Sequence, residues 1–512
     1  MRKWTPLLAV CLGTFMLLID VTIVNVALPD VTRDLHASFS QVQWVIDIYA
    51  LSLAALMLGA GGLADALGRR RVYLAGLTLF AAASVACGLS QDITVLIIGR
   101  AVQGIGGAAM FATTVALINV SYSGRDRGTA YGIWGAVAGA SAGVGSVVGG
   151  VLTDLLSWRW AFWVNLPVSI LAITLTLLVF SNTERRRIRI DVPGMLAFTA
   201  AAGLITYGII EAGEEGWTDR TPVLSAALGL LALAVFVLIE RRTTHPLIDL
   251  GLLRRPVFTG AVLAAGILSC AAFGSSALVS IWLQSVVGLS PLQTGLALLP
   301  MSVVAFLVAG GLSSRLHGIP VARPIGAGLF LIGCGSLLML IVQADSSWTA
   351  LIAGLLVVGL GVGLATPPLT AAALSAVPVE RSGMASGVLN TSRQLGLAFG
   401  VAILGSVFTS RAAHTLTTHH VPSADNLASA VSGGQTQAVL KAAPDNFRTQ
   451  LDTAIHAAFA NGLHGAFIIA GLVGILGAAL VFWLLRKAPT EEPAAWGDSS
   501  ATPAGEPASA PN

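Results

Sequence analysis

Charged side chains are scarce in this chain: they make up 10% of its 512 residues, while 55% are hydrophobic and the mean hydropathy is +0.82. A soluble domain carries about 25% charged residues, so a water-facing globular surface is excluded and an all-α, multi-span membrane protein is implied. Lysine is nearly absent, occurring only at Lys3, Lys441 and Lys487. That bias, with abundant alanine and glycine, points to a GC-rich bacterial genome. A net charge of +3 without any long Lys/Arg run excludes a surface that tracks nucleic-acid phosphates. The four cysteines, Cys11, Cys87, Cys270 and Cys334, stand singly in apolar stretches, so neither a disulfide framework nor a zinc site is expected. No GxxxxGK loop and no HExxH helix occur, so neither ATP, an enzymatic activity nor a cofactor is expected.

Apolar runs of roughly 20 residues, cut at charge clusters, give about fourteen helices. The spans fall at about 6–29, 44–64, 72–90, 93–115, 129–156 and 160–181, then 193–212 and 222–240. Six more follow at about 257–283, 293–313, 324–343, 348–374, 384–409 and 462–485. The basic start MRKW precedes an apolar run too long for a signal peptide and lacks a small-x-small cleavage site, so it reads as a retained first span. Alternate loops differ in charge: 20 of the 28 basic residues fall on one side, among them Arg69 to Arg71, Arg185 to Arg187, Arg254 and Arg255. This asymmetry predicts cytoplasmic termini.

The chain also repeats itself. AGGLADAL from Ala60 returns as AGGLSSRL from Ala309, and Gly99, Gly104 and Gly106 return as Gly354, Gly359 and Gly361. The offset is too long for six helices with short loops, which predicts two six-helix bundles, residues 1–190 and 256–487, with two inserted helices at 191–255. Parallel repeats of this kind place a substrate site between the halves near mid-membrane. The polar stretch at about 410–460, with His414, His419 and His420, reads as an external loop whose histidines are solvated, and 488–512 as a disordered cytoplasmic tail.

Ionisable residues within spans mark function. Asp20, in LLIDVTIVNVALPDV, and Arg100, in the fourth span, both fall roughly 10–14 Å below the outer surface at about 1.5 Å per residue, so they can share one buried layer. Burial and a neighbouring guanidinium pull a carboxylate's proton affinity in opposite directions, and their balance can bring titration within reach of a proton gradient. A permanent packing pair is the alternative. Thr22 and Asn25 share another face, where Asn25 can touch substrate or a neighbouring helix. Asp47, about one turn into the second span, reads either as a carboxylate for cationic substrates at the outer mouth or as a hydrated first-turn residue. In GGLADALGRRRVYL, residues 61–74, Gly68 allows a tight reversal and Arg69 to Arg71 hold the loop inside. Asp65 there can face a helix N-terminus of the other half, a contact that one arrangement makes and another breaks; it aligns with Ser314 in the second copy. Gly135, Gly139 and Gly143, with Gly145 and Gly149 on a second ridge, let the fifth helix pack closely or bend. Arg393, about nine residues into the thirteenth span from inside, is a further candidate for substrate binding: it needs an acid, a carbonyl or an anionic substrate, and the inner half of the membrane offers no evident carboxylate.

Taken as an ordered set, LIDVTIVNVALP, GGLADALGRRR, GRAVQGIGGAAM, WRWAFWVNLP, HPLIDLGLLRRPVF and ERSGMASGVLNTSRQLGLAFGVA resemble the major facilitator superfamily, specifically its fourteen-span drug:proton antiporter-2 branch. The resemblance covers about residues 5–485. It implies the major facilitator fold in a bacterial cytoplasmic membrane and proton-coupled export of amphipathic, often cationic, small molecules. It makes Asp20 the proton-coupling or substrate-sensing acid, Arg100 its partner, and Asp65 with Arg69 the conformational lock. In the fifth helix Gly145 is followed by Ser146, where the branch has proline; Gly149 and Gly150 keep the rest of that motif. The missing proline leaves uncoupled or inward transport of a metabolite as an alternative, and a non-transporting membrane sensor is another.

Overall fold

The computed structural model describes residues 2–181, 191–214, 216–243, 246–312, 319–377 and 382–486, and among these every regular element is helical. Hydrocarbon offers no hydrogen-bond partner, so an apolar chain must satisfy its backbone within each spanning segment. The first half holds α1 (Thr5–Leu35), α2 (Phe39–Leu67), α3 (Arg69–Gly88), α4 (Ile93–Ser121), α5 (Gly124–Leu155), α6 (Trp160–Trp163) and α7 (Asn165–Val179). Two helices, α8 (Val192–Glu214) and α9 (Arg220–Arg242), come next. The second half holds α10 (Pro256–Phe273), α11 (Ser276–Ser285), α12 (Pro291–Leu312), α13 (Ala322–Leu338), α14 (Ile352–Ser375), α15 (Ser382–Thr418), α16 (Ala424–Ser432), α17 (Thr436–Ala442) and α18 (Asp445–Leu485). Among the described residues thirteen helical segments are long and apolar enough to cross a membrane, and α5 contains a further, shorter apolar stretch at Gly143–Leu155. Below, the side bearing Lys3 and Arg486 is called the terminal side and the opposite one the far side.

Polar side chains and glycine set the helix ends. Ser38 opens α2 through a capping box with Gln41, and the Asp92 carboxylate accepts from the Thr94 backbone N–H (2.7 Å) at the start of α4. Gly68, at φ 98°, turns α2 into α3 in a conformation that a side chain would disfavour.

The repeat is structural. The pairings α2–α4, α3–α4 and α1–α5 recur as α12–α14, α13–α14 and α10–α15. Its glycines sit at equivalent crossings: a Cβ on Gly106 would come within 2.8 Å of the Gly76 carbonyl on α3, and one on Gly361 would meet the Gly328 carbonyl on α13. Gly104 faces the Tyr49 carbonyl on α2 as Gly359 faces Met301 on α12. Backbones approach this closely only where no side chain intervenes, and in lipid such packing holds helices together.

The halves meet along two seams, α2 with α15 and α5 with α12, and where α1 touches α11. The inserted helices pair with each other, and α8 also touches α2 and α15, so it lies over the first seam. There the Trp44 and Tyr207 rings stand 6.3 Å apart, and Gly213 leaves room for Ser406.

One expectation is corrected. The 410–460 stretch is largely helical: α15 continues to Thr418, α18 begins at Asp445, and α16 and α17 lie between them. Low hydropathy marks where the chain leaves lipid, and these helices continue past that level. This segment bridges the halves, with Gln435 Nε2 donating to the Ala37 carbonyl (2.9 Å) and Ser285 Oγ to the Gly434 carbonyl (3.2 Å). The tail from Lys487 lies outside the described residues.

Candidate functional site

Asp20 and Arg100 do share one layer, as their depths predict. They form an ion pair between Arg100 Nη1 and Asp20 Oδ2, and both side chains are shut off from solvent. Three neutral side chains complete the network. Gln103, one turn beyond Arg100 on α4, accepts from Arg100 Nη1 (2.8 Å) and donates to Asp20 Oδ1 (2.8 Å) and to Ser84 Oγ of α3 (2.9 Å). Asn165, at the start of α7, donates to the same Asp20 oxygen (2.9 Å). From α2, the Val45 carbonyl accepts from Arg100 Nε (3.0 Å), and the Tyr49 ring lies 4.1 Å from the guanidinium carbon. Five helices of one half thus converge on a single network around the Asp20–Arg100 pair.

Each part offsets the cost of burying charge. A desolvated ion pair is stable only when its remaining lone pairs and N–H groups are also satisfied, and removing one member costs about 3–5 kcal/mol. Here Asp20 accepts three hydrogen bonds, and Arg100 is held by a carboxylate, an amide, a carbonyl and a ring face. Asp20 is thereby arranged as an acceptor on both oxygens. A proton placed on it turns one acceptor into a donor that faces N–H groups, so at least one bond of the network has to break.

The other residues singled out in the sequence fall in separate places. Asn25 reaches across the halves: its Nδ2 donates to Ser276 Oγ (3.1 Å) at the start of α11, and one residue further the Val26 carbonyl accepts from Gln284 Nε2 (2.8 Å). Thr22 bonds its own helix at the Ile19 carbonyl (3.0 Å). Asp47 is neither at an open mouth nor hydrated. It is the ninth residue of α2, fully buried, and neither carboxylate oxygen has a hydrogen-bond partner. The reason is that α2 begins at Phe39, earlier than its hydropathy suggests, and packs there against α8 and α15. Arg393, on α15, donates from Nη2 to Thr370 Oγ1 of α14 (3.2 Å).

The gate residues divide similarly. Asp65 lies in the last turn of α2, but its side chain, like Ser314, falls outside the described residues. Gly68 makes the reversal and Arg69 begins α3. On α5, Gly145 and Gly149 face Thr22 and Ile23 of α1, within one half, whereas Gly150 faces Leu292 of α12 in the other. α5 runs unbroken through Ser146, without a proline kink.

Sequence reasoning missed Gln103, Ser84, Asn165 and Tyr49. Gln103 carried a signal, standing three residues after Arg100 on the same helical face. The others are single polar residues on distant segments, which nothing in their local sequence ties to Asp20.

The family model described as Major Facilitator Superfamily matches residues 10–401. The chain is 38% identical over 415 residues to the multidrug resistance protein Stp of Mycobacterium tuberculosis, covering 81% of this chain and 77% of Stp. It is 34% identical to the puromycin resistance protein pur8 of Streptomyces alboniger, covering 98% of this chain and 95% of pur8. Its fold matches the crystal structure of a bacterial homologue of the human lysosomal transporter Spinster with a TM-score of 0.67, at 16% identity, over 95% of this chain and 97% of that one. On the matched family model and these relatives, the chain belongs to the Major Facilitator Superfamily and is a membrane transporter, not an enzyme.

Proposed function

We propose that this protein is a proton-coupled exporter of drugs, antibiotics or related amphipathic small molecules, exchanging protons for substrate by alternating access across a bacterial cytoplasmic membrane with both termini inside. Relatives named for multidrug and puromycin resistance support the export of such compounds. The observation that carries the coupling is the sealed Asp20–Arg100–Gln103–Asn165 network.

Coupling follows from where α1 is anchored. Asp20 is tied to its own half, while Asn25 and Val26, about 7.5–9 Å further along the same helix, hold the other half. Protonating Asp20 weakens its hold on Arg100, which keeps Gln103, the Val45 carbonyl and the Tyr49 ring as partners. α1 is then free to shift, and the contacts of Asn25 and Val26 shift with it. Substrate entering from the terminal side drives the proton off to that side, the far side opens, substrate leaves, and a proton taken up from the far side then frees α1 for the return. Gly145, Gly149 and Gly150 let α5 follow α1 and α12 at close range, and Asp65 with Arg69 locks the terminal side. In this scheme Asp20 is the proton site and works from behind the substrate path, without touching substrate.

The test is proton release from acidified everted vesicles on adding a panel of dyes and antibiotics, with wild type compared with Asp20→Asn. Wild type should release protons and the variant should not, although equal amounts reach the membrane. Unimpaired proton-driven export by Asp20→Asn would remove the mechanism. The unkinked α5 supports a second reading, uncoupled transport, in which substrate moves in both proteins without proton release.

A further inference from the structure

We infer that Arg393 is the charged anchor of the substrate site and that the favoured substrates carry an acidic group, a carboxylate or an acidic phenol, on an apolar body. The inference rests on the transporter reading above and adds the chemical class of what is carried.

Three observations lead there. First, Arg393 is unsatisfied. A guanidinium has five N–H donors, and among the described residues its one partner is the Thr370 hydroxyl, whose own proton goes to the Thr366 carbonyl (3.0 Å). Second, it faces the space between the halves. Ser386, Asn390, Arg393, Leu397 and Val401 follow one another at helical spacing along a single face of α15. Leu397 and Val401 pack against Ile19, Ile23, Val42 and Ile46 of the other half. Arg393 therefore lies one turn to the terminal side of the seal that closes the halves, and it is half-buried, so part of it reaches open space. A guanidinium at that depth is too costly to turn toward lipid, which makes that space the path between the halves.

Third, the carboxylates that would favour cations are withdrawn. Asp20 is wrapped by its own half and Asp47 is fully buried in the α2 packing. A ligand at the level of Arg393 thus meets a free cationic fork and the surrounding apolar and hydroxyl groups. That fork matches the two oxygens of a carboxylate, and Asn390 on the same face of α15 adds a polar neighbour.

The experiment is equilibrium binding to the purified full-length protein in detergent, read by fluorescence anisotropy, with no gradient present. Fluorescein and rhodamine 6G share a tricyclic core and differ in charge, the first anionic and the second cationic. Wild type should bind fluorescein at least roughly tenfold more tightly. Arg393→Gln should erase that preference by weakening fluorescein alone, and Arg393→Lys, which keeps the charge but not the fork, should retain part of it. Should Arg393→Gln aggregate, the Lys variant carries the comparison. Equal or tighter binding of rhodamine 6G, no binding of either dye, or equal loss of both dyes in a well-folded Arg393→Gln would overturn the inference. Vesicle transport separates the two proposals. Charge-selective binding without transport refutes the exporter and leaves the site standing; transport of both dyes without charge preference does the reverse.

Discussion

Gly150→Ala should open the far side, and its neighbour provides the control. A Cβ on Gly150 would come within 2.7 Å of both the Leu292 Cα and the Pro291 carbonyl oxygen, backbone atoms of the opposite half. A Cβ on Gly149 would come within 2.8 Å of the Ile23 Cα, backbone of the same half. The two added methyl groups are alike in size and in the kind of atom they meet. Overpacking of this sort costs about 1–3 kcal/mol. For Gly149 the cost falls on α1–α5 packing and lowers overall stability. For Gly150 it falls on one arrangement of the halves, so it shifts a conformational equilibrium by about 5- to 150-fold toward the open far side. The assay is labelling of Ala277→Cys, buried between the halves near the far side, by a membrane-impermeant maleimide in a background without the four native cysteines. Gly150→Ala should speed labelling and Gly149→Ala should leave it near the parent rate. Equal rates in both, or a faster rate in Gly149→Ala alone, would refute the assignment of these contacts to between and within halves.

Other expectations follow from the same geometry. In thermal unfolding, Asp20→Asn leaves Arg100 without its counter-ion and should cost about 3–5 kcal/mol, part of which Asp20→Asn/Arg100→Gln recovers; strictly additive losses would mean that the pair is not coupled. Gln103→Leu removes hydrogen bonds to both charged groups, each worth about 1.5–3 kcal/mol, and should destabilise more than Ser84→Ala; the order of melting temperatures checks this. Asp47→Leu removes two unpartnered buried oxygens, so it should be neutral or stabilising in the same measurement where Asp20→Leu is harmful. Gln435→Ala cuts one side of the bridge between the halves and should speed maleimide labelling of Ala277→Cys by a smaller factor than Gly150→Ala does.

Part of this architecture was legible because it is periodic or costly. Helices announce themselves by apolar length, and the recurring glycines mark crossings where one backbone touches another. The Asp20–Arg100 pair followed from depth alone, since two lone charges at one level in hydrocarbon have few alternatives to each other. The rest of the site was not legible, because Ser84, Gln103 and Asn165 are neutral and their role depends on which helices converge. Asp47 was misplaced because hydropathy began its helix several residues late and could not register the packing of α8 over it. The helical α15–α18 connection was hidden for the converse reason: polar composition reports exposure to water and is silent about backbone conformation.

The covering of one seam has a consequence for traffic with the bilayer. With α8 lying across α2 and α15, a compound dissolved in the membrane finds that flank already occupied by protein. Among the described residues the flank between α5 and α12 carries no such cover, and its contacts, Gly150 with Leu292, Gly295 with Ser146 and Gly143 with Ser302, line up along a strip of small residues. Any sideways passage between lipid and the interior would therefore be one-sided, with the hairpin that breaks the twofold repeat deciding which side that is.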